Sequence, residues 1–149
     1  MKIPLSHAFA APPDRVYAAL TDPEVLRRCI DGCEKMAKTS EDTYEIQLKV
    51  GLGSVKGSYR GRIRVTATQP PASLTLAIDG SGAPGFVRAT AQIHLAAKGE
   101  QTELSGEGEG SIGGIVAAVG SRLIEAAAKK MTADFFARLA AQVTSCRAS

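Results

Sequence analysis

Hydrophobic and polar residues alternate along most of this chain, and the places where the alternation fails mark its helices and turns. Residues 2–10 set Ile3, Leu5, His7 and Phe9 on one face, a strand pattern that Pro12-Pro13 stops. Pro13 suits a first helical position and Asp14 adds charge favourable to a helix N-terminus. Val16, Ala19 and Leu20 then recur at helical spacing, which predicts a short helix. In Thr21-Asp22-Pro23-Glu24-Val25-Leu26 an Asp cap, a first-turn Pro and a following acid predict a second short helix, starting at Asp22 and ending before Asp31-Gly32.

From about residue 34 to 112 the period is two. Tyr44, Ile46, Leu48 and Val50 share one face while Glu45, Gln47 and Lys49 take the other; Leu74, Leu76 and Ile78 repeat the scheme, as do Val87, Ala89, Ala91, Ile93 and Leu95. Breaks at Glu41-Asp42, Gly51 to Gly53, Pro70-Pro71, Gly80 to Gly85 and Lys98-Gly99-Glu100 divide this region into six half-buried strands, seven with the first. Links this short favour antiparallel neighbours. After Gly113-Gly114, Ile115, Val119, Leu123, Ala127, Met131, Phe135 and Leu139 fall four apart among helix formers, predicting one helix over 114–143, about 45 Å long, in which Gly120 marks a close approach or a bend. The order strand, two short helices, six strands, long helix reads as α+β, with the sheet curved around the last helix.

The inward set is short of bulk. Across Val55 to Ala67 it reads Val55, Gly57, Tyr59, Gly61, Ile63, Val65, Ala67; across Thr102 to Ile112 it reads Thr102, Leu104, Gly106, Gly108, Gly110, Ile112. Interiors pack to crystal-like density, so such a wall is approached closely, bends, or encloses space. The scarcity of aromatics, no Trp, three Tyr and four Phe, favours a cavity. Gly106, Gly108, Gly110, Ala89 and Ala91 would form one wall, and Leu123, Met131 and Phe135 the opposite one. His7 and Tyr59 are candidates to hold a polar head, with His7 alternatively a satisfied core histidine. On the outward side Lys56, Arg60, Arg62 and Arg64 form a basic stripe and Glu103, Glu107 and Glu109 an acidic one, suited to an acidic partner or anionic lipid, or simply to solvation.

Composition narrows the class. The 149 residues, 44% hydrophobic and 22% charged, suit one soluble domain spanning 1–149 that buries roughly two-thirds of its unfolded surface. Eighteen Lys and Arg against fifteen Asp and Glu give +3, too weak a balance for nucleic acid. Cys29, Cys33 and Cys146 are an odd set without the two-residue gap of redox or zinc motifs and read as free thiols in a reducing compartment. Neither a signal peptide nor a bilayer-spanning run of roughly 18 apolar residues is recognisable, so a cytoplasmic location is expected.

Catalytic motifs are absent. By alternation His7 points inward and His94 outward, so the two do not cooperate and no metal site is expected. Gly80-Ser-Gly82-Ala-Pro-Gly85 imitates a dinucleotide fingerprint but joins two antiparallel strands and reads as a hairpin loop. Ser111-Ile-Gly-Gly offers free N–H groups at a helix start, as every helix does. With no nucleophile beside a base and no paired inward carboxylates, no enzyme activity is expected.

The segment Asp22-Pro23-Glu24-Val25-Leu26-Arg27-Arg28-Cys29-Ile30-Asp31-Gly32-Cys33-Glu34 resembles the CoxG family, the G-type subunits of carbon monoxide dehydrogenase, within the START/Bet v 1-like (SRPBCC) superfamily. Ala11-Pro12-Pro13-Asp14-Arg15-Val16-Tyr17, Val50-Gly51-Leu52-Gly53-Ser54-Val55-Lys56-Gly57 and Phe135-Phe136-Ala137-Arg138-Leu139 support the likeness, which covers nearly the whole chain. The family usually has Pro-Gly-Cys where this chain has Asp31-Gly32-Cys33. Longer members carry a C-terminal extension thought to reach the membrane, whereas this chain stops six residues after Val143. The resemblance implies a helix-grip fold with a hydrophobic pocket and a role beside a CO dehydrogenase-type molybdenum hydroxylase. The expected function is a non-catalytic carrier of a quinone or lipid, with no covalently bound cofactor, in the cytoplasm or peripheral at the inner face of the membrane. The alternatives are a recruitment or assembly factor acting through its charged faces, and an enzyme resembling the aromatase/cyclases.

Overall fold

A computed structural model of the chain describes residues 1–52, 55–83 and 85–148, with side chains at all of these except 50, 52, 55 and 144–148. Expectations that rest on the side chains of Val50, Val55 and Cys146, or on Gly53, Ser54 and Pro84, fall outside the described residues. Strand β1 (Lys2–Phe9) leads into helices α1 (Pro13–Leu20) and α2 (Pro23–Cys29). Strands β2 (Cys33–Ser40), β3 (Thr43–Leu52), β4 (Val55–Gln69), β5 (Ser73–Gly82), β6 (Gly85–Lys98) and β7 (Gln101–Gly113) follow. A 3-10 segment (Ile115–Val119) and helix α3 (Ser121–Ala148) complete the order.

The strands form one seven-stranded sheet in the order β1-β7-β6-β5-β4-β3-β2, antiparallel throughout. Strands β2 to β7 are a meander, and β1 adds to β7 at the far edge. The chain therefore has to cross the whole sheet between β1 and β2, and α1 and α2 make that crossing. Two hydrogen bonds tie the crossing down. The Thr102 hydroxyl on β7 donates to the Ala11 carbonyl at 2.7 Å, and the Tyr44 hydroxyl on β3 donates to the Thr21 carbonyl at 2.6 Å.

Local chemistry accounts for the element ends. The Asp22 carboxylate accepts from the backbone N–H groups of Glu24 (2.9 Å) and Val25 (3.4 Å), capping α2 as the sequence predicts. Gly32 ends the α2 loop at φ +77°, where its carbonyl accepts from the Lys49 N–H at 2.9 Å and a Cβ would fall 2.2 Å from the Lys49 oxygen. Between Val65 and Ala67 the β4–β5 register slips by a bulge, so Ala67, expected inward, is exposed and Thr68 meets the Tyr17 hydroxyl on α1. The long helix also begins later than the 114–143 expectation. Gly120, at φ +102°, separates the 3-10 segment from α3, a conformation that breaks helical geometry. Gly80 to Gly85 is mostly strand, and Ser111 to Gly113 belongs to β7 rather than to a helix start.

The core lies where the C-terminal half of α3 meets the inner face of the sheet. Phe136, Leu139 and Val143 join Phe9, Leu74, Ile93, Leu95 and Leu104 in one buried cluster that Val16 and Leu20 of α1 complete. Leu26, Met36 and Tyr44 form a second cluster, and Phe135 packs against both. Leu139→Ala should lower the unfolding free energy by about 2–5 kcal/mol. Asp22→Ala should lower it by about 1 kcal/mol, the two being ranked by urea denaturation midpoints.

Candidate functional site

Burial along the inner face of the sheet is graded. Near α1 the inward residues Leu74, Ile93, Leu95, Thr102 and Leu104 are buried; further along the same strands Leu76, Ile78, Val87, Ala89, Ala91, Gly108, Gly110 and Ile112 are only half-buried. On β3 and β4, Ile46, Leu48 and Ile63 are half-buried too. An apolar wall that nothing fully covers is the main feature of this molecule, since a finished core buries such residues.

The reason lies in what α3 presents. Each four-residue step advances a side chain about 40° beyond a full turn, so the Leu123, Ala127, Met131, Phe135, Leu139 series winds round the helix instead of lining one face. Leu123 ends about 160° from Leu139 and is exposed, and Met131 at the flank is exposed as well. Phe135 alone of the expected helix wall packs into the interior. The line that continues Leu139 and Phe136 toward the N-terminus passes through Thr132, Ala128 and Ile124, each half-buried, to Ser121. Small residues therefore stand on the helix as well as on the sheet. Scoring the sequence at 3.6 residues per turn instead of four would have found Thr132, Ala128 and Ile124.

The glycines divide by role. A Cβ on Gly106 would fall 1.9 Å from the Gln92 carbonyl oxygen, and one on Gly61 2.2 Å from the Asp79 oxygen, so these serve close strand approach and curvature. At Gly110 the nearest atom would stand at 3.0 Å. Gly108 is different. Its Cβ would meet nothing nearer than the Ile3 oxygen at 3.8 Å, leaving open space above it.

His7 and Tyr59 do not form one polar site. They lie on β1 and β4, four ladder steps apart in strands spaced about 4.8 Å. Tyr59 is buried, and burial holds its hydroxyl above the usual phenol range. The His7 ring is half-buried, 4.8 Å from the Phe9 ring and stacked on Phe136 at 5.8 Å. It opens on a groove of about 300 Å³ between the β1 edge and α3, lined also by Ile3, Lys129 and Thr132. Burial raises the thiol pKa of Cys29 and Cys33 above the ordinary value. Among the described residues no three His, Cys, Asp or Glu side chains could hold a metal, and no helix is long and apolar enough to cross a membrane.

Charge is confined to the outer face. Lys56, Arg60, Arg62 and Arg64 are all exposed, as are Glu103, Glu107 and Glu109. The basic stripe is interrupted, because Arg62 stands opposite Glu45 on β3 and Asp79 on β5. Arg60 and Arg62 line an outer depression of about 410 Å³ with Lys35, Glu45 and Gln47.

A curved sheet gripping one long helix, with an apolar inner face, defines a helix-grip protein of the START/Bet v 1-like class. The model of the CoxG family, the G-type subunits of carbon monoxide dehydrogenase, matches residues 6–144, and the chain belongs to that family. Among solved structures, a conserved protein from Geobacillus kaustophilus is 34% identical, with 97% of this chain and 96% of that one covered and a TM-score of 0.91. The Zhui aromatase/cyclase from Streptomyces sp. R1128 is 12% identical, with 97% and 93% covered and a TM-score of 0.73. Ara h 8.0201 is 12% identical, with 97% and 98% covered and a TM-score of 0.72. These last two share the fold. No curated protein sequence matches the chain significantly.

The division among the glycines can be measured. Gly106→Ala should destabilise by about 1–3 kcal/mol through its clash with backbone. Gly108→Ala should be neutral or stabilising by about 0.5–1 kcal/mol, as read from thermal or urea unfolding.

Proposed function

We propose that this protein is a non-catalytic carrier of an elongated apolar molecule, an isoprenoid quinone or a lipid of similar shape, bound between the sheet and α3. The observation that carries this reading is the half-buried apolar wall Ile78, Val87, Ala89, Ala91 and Ile112, faced by Ala128 and Ile124 with open space above Gly108. Each CH₂ moved from water contributes about 0.8 kcal/mol, so a ten-carbon tail brings roughly 8 kcal/mol before ordering costs, without any strong polar contact. A head group has two separate candidate partners, His7 at the β1 groove and Tyr59 on β4.

Membership of the CoxG family supports an accessory role beside a CO dehydrogenase-type molybdenum hydroxylase, reached through the exposed outer face. A cyclase-like activity is the weaker reading. The charged side chains of the sheet stand on its outer face, and the His7 ring is engaged by Phe9 and Phe136, so no acid–base pair faces the space where a substrate would lie.

Mass spectrometry of the protein after exposure to a lipid extract should recover a bound quinone or lipid. Gly108→Leu should reduce that uptake at least tenfold while the protein stays folded; unchanged uptake would move the site elsewhere. For the accessory role, reversing Arg60, Arg62 and Arg64 to Glu should slow association with the hydroxylase at low salt, an effect that shrinks as the Debye length falls below about 8 Å. Association rates that the reversal leaves unchanged would exclude this face.

A further inference from the structure

Phe86, Ile115 and Leu123 are 44%, 66% and 42% exposed, unusual for large apolar side chains, and all three lie at the end of the molecule where the inner face is uncovered. Phe86 opens β6 opposite Gly113, the last residue of β7; Ile115 starts the 3-10 segment just beyond it; Leu123 sits in the first turn of α3. Met1, also exposed, is hydrogen-bonded to Gly110 beside them. The 3-10 segment is bracketed by Gly114 and Gly120, both at positive φ, and it buries Val116 while holding Ile115 outward.

Charge follows the same division. Segments 51–57, 81–88 and 110–123, which build this end, contain Lys56, Arg88 and Arg122 and no acidic residue. Lys56 and Arg122 form no ion pair among the described residues. Arg88 lies over the Phe86 ring at 5.8 Å and meets Asp79 at 3.5 Å. Exposed apolar groups beside unneutralised cations are what an interface between hydrocarbon and anionic headgroups accepts, the apolar groups entering the boundary and the cations staying at headgroup depth.

We propose that this rim is a docking surface for a membrane carrying anionic lipids, with Ile115, Phe86 and Leu123 inserted at the interface and Lys56, Arg88 and Arg122 on the headgroups. The proposal rests on the carrier reading and deepens it. A cargo that water does not dissolve has to be collected from a bilayer, and this rim surrounds the uncovered inner face, so docking would bring the apolar wall to the acyl chains.

Co-sedimentation with phosphatidylcholine vesicles, with and without phosphatidylglycerol, tests it. Binding should require phosphatidylglycerol. The double variant Ile115→Ser/Leu123→Ser should weaken it about tenfold or more. Arg122→Glu should weaken it about fivefold, less at high salt. All three positions are exposed, so circular dichroism should show the fold intact. Binding that these variants leave unchanged, or that is lost only on reversing Arg60, Arg62 and Arg64, overturns the proposal. Absence of binding to either vesicle overturns it too and assigns the rim to a protein partner. Uptake of a short-chain quinone without vesicles, read by mass spectrometry, separates the two readings. Rim-dependent vesicle binding without uptake would sink the carrier and leave docking standing.

Discussion

Leu139 and Val143, almost wholly buried against Phe9, Leu74, Ile93 and Leu104, set where α3 can lie, and the rest of the molecule follows from that contact. A 28-residue helix is about 42 Å long, and its large apolar residues on the packed side are concentrated in one half. Anchored there, the helix extends its other half over a part of the sheet lined by Ala89, Ala91, Gly108 and Gly110. With Ala128 and Ser121 opposite them, neither surface has the bulk to reach interior density, and the walls stay partly open. The space is a consequence of where side-chain volume was placed along one helix.

The two ends of the sheet therefore differ in kind. At the dense end the crossing helices are held by hydrogen bonds from the buried Thr102 and Tyr44 side chains, each of which would leave an unsatisfied group if it opened. At the other end the covering piece is a five-residue 3-10 segment between two glycines. Fewer apolar contacts and a shorter hydrogen-bonded run make it the part of lowest local stability. A ligand that enters between sheet and helix meets the least resistance there, and the stable end keeps the fold while that end adapts.

Electrostatics adds orientation more than stability. The exposed ion pairs, such as Lys2 with Glu107 at 3.8 Å and Arg88 with Asp79 at 3.5 Å, contribute little individually. Their arrangement matters through what is left over. Arg62 is flanked by acids across both neighbouring strands, whereas Lys56 and Arg122, near the open end, have no ion-pair partner among the described residues. The unbalanced positive charge thus falls beside the exposed apolar rim, although the chain as a whole carries only +3.

The alternation of apolar and polar residues and the turn residues between them determined the number of strands, their antiparallel order and the two crossing helices, because strand periodicity and capping are local and need no partner. The Asp22 cap and the inward set from Leu74 to Leu104 were legible for the same reason. Tertiary structure alone decided the rest. Gly106 and Gly108 are indistinguishable in sequence, and only the position of the neighbouring strand's carbonyl makes one a site of close approach and the other a site of open space. The four-residue spacing suggested Leu123 and Met131 as cavity wall, but rotation of about 100° per residue turns them away once Leu139 fixes the helix. His7 and Tyr59 looked like partners because both face inward, and the strand order sets them apart. Phe86, Ile115 and Leu123 each pass as ordinary apolar residues in a linear reading, since it takes the β6–β7 register and the break at Gly120 to bring them to one rim.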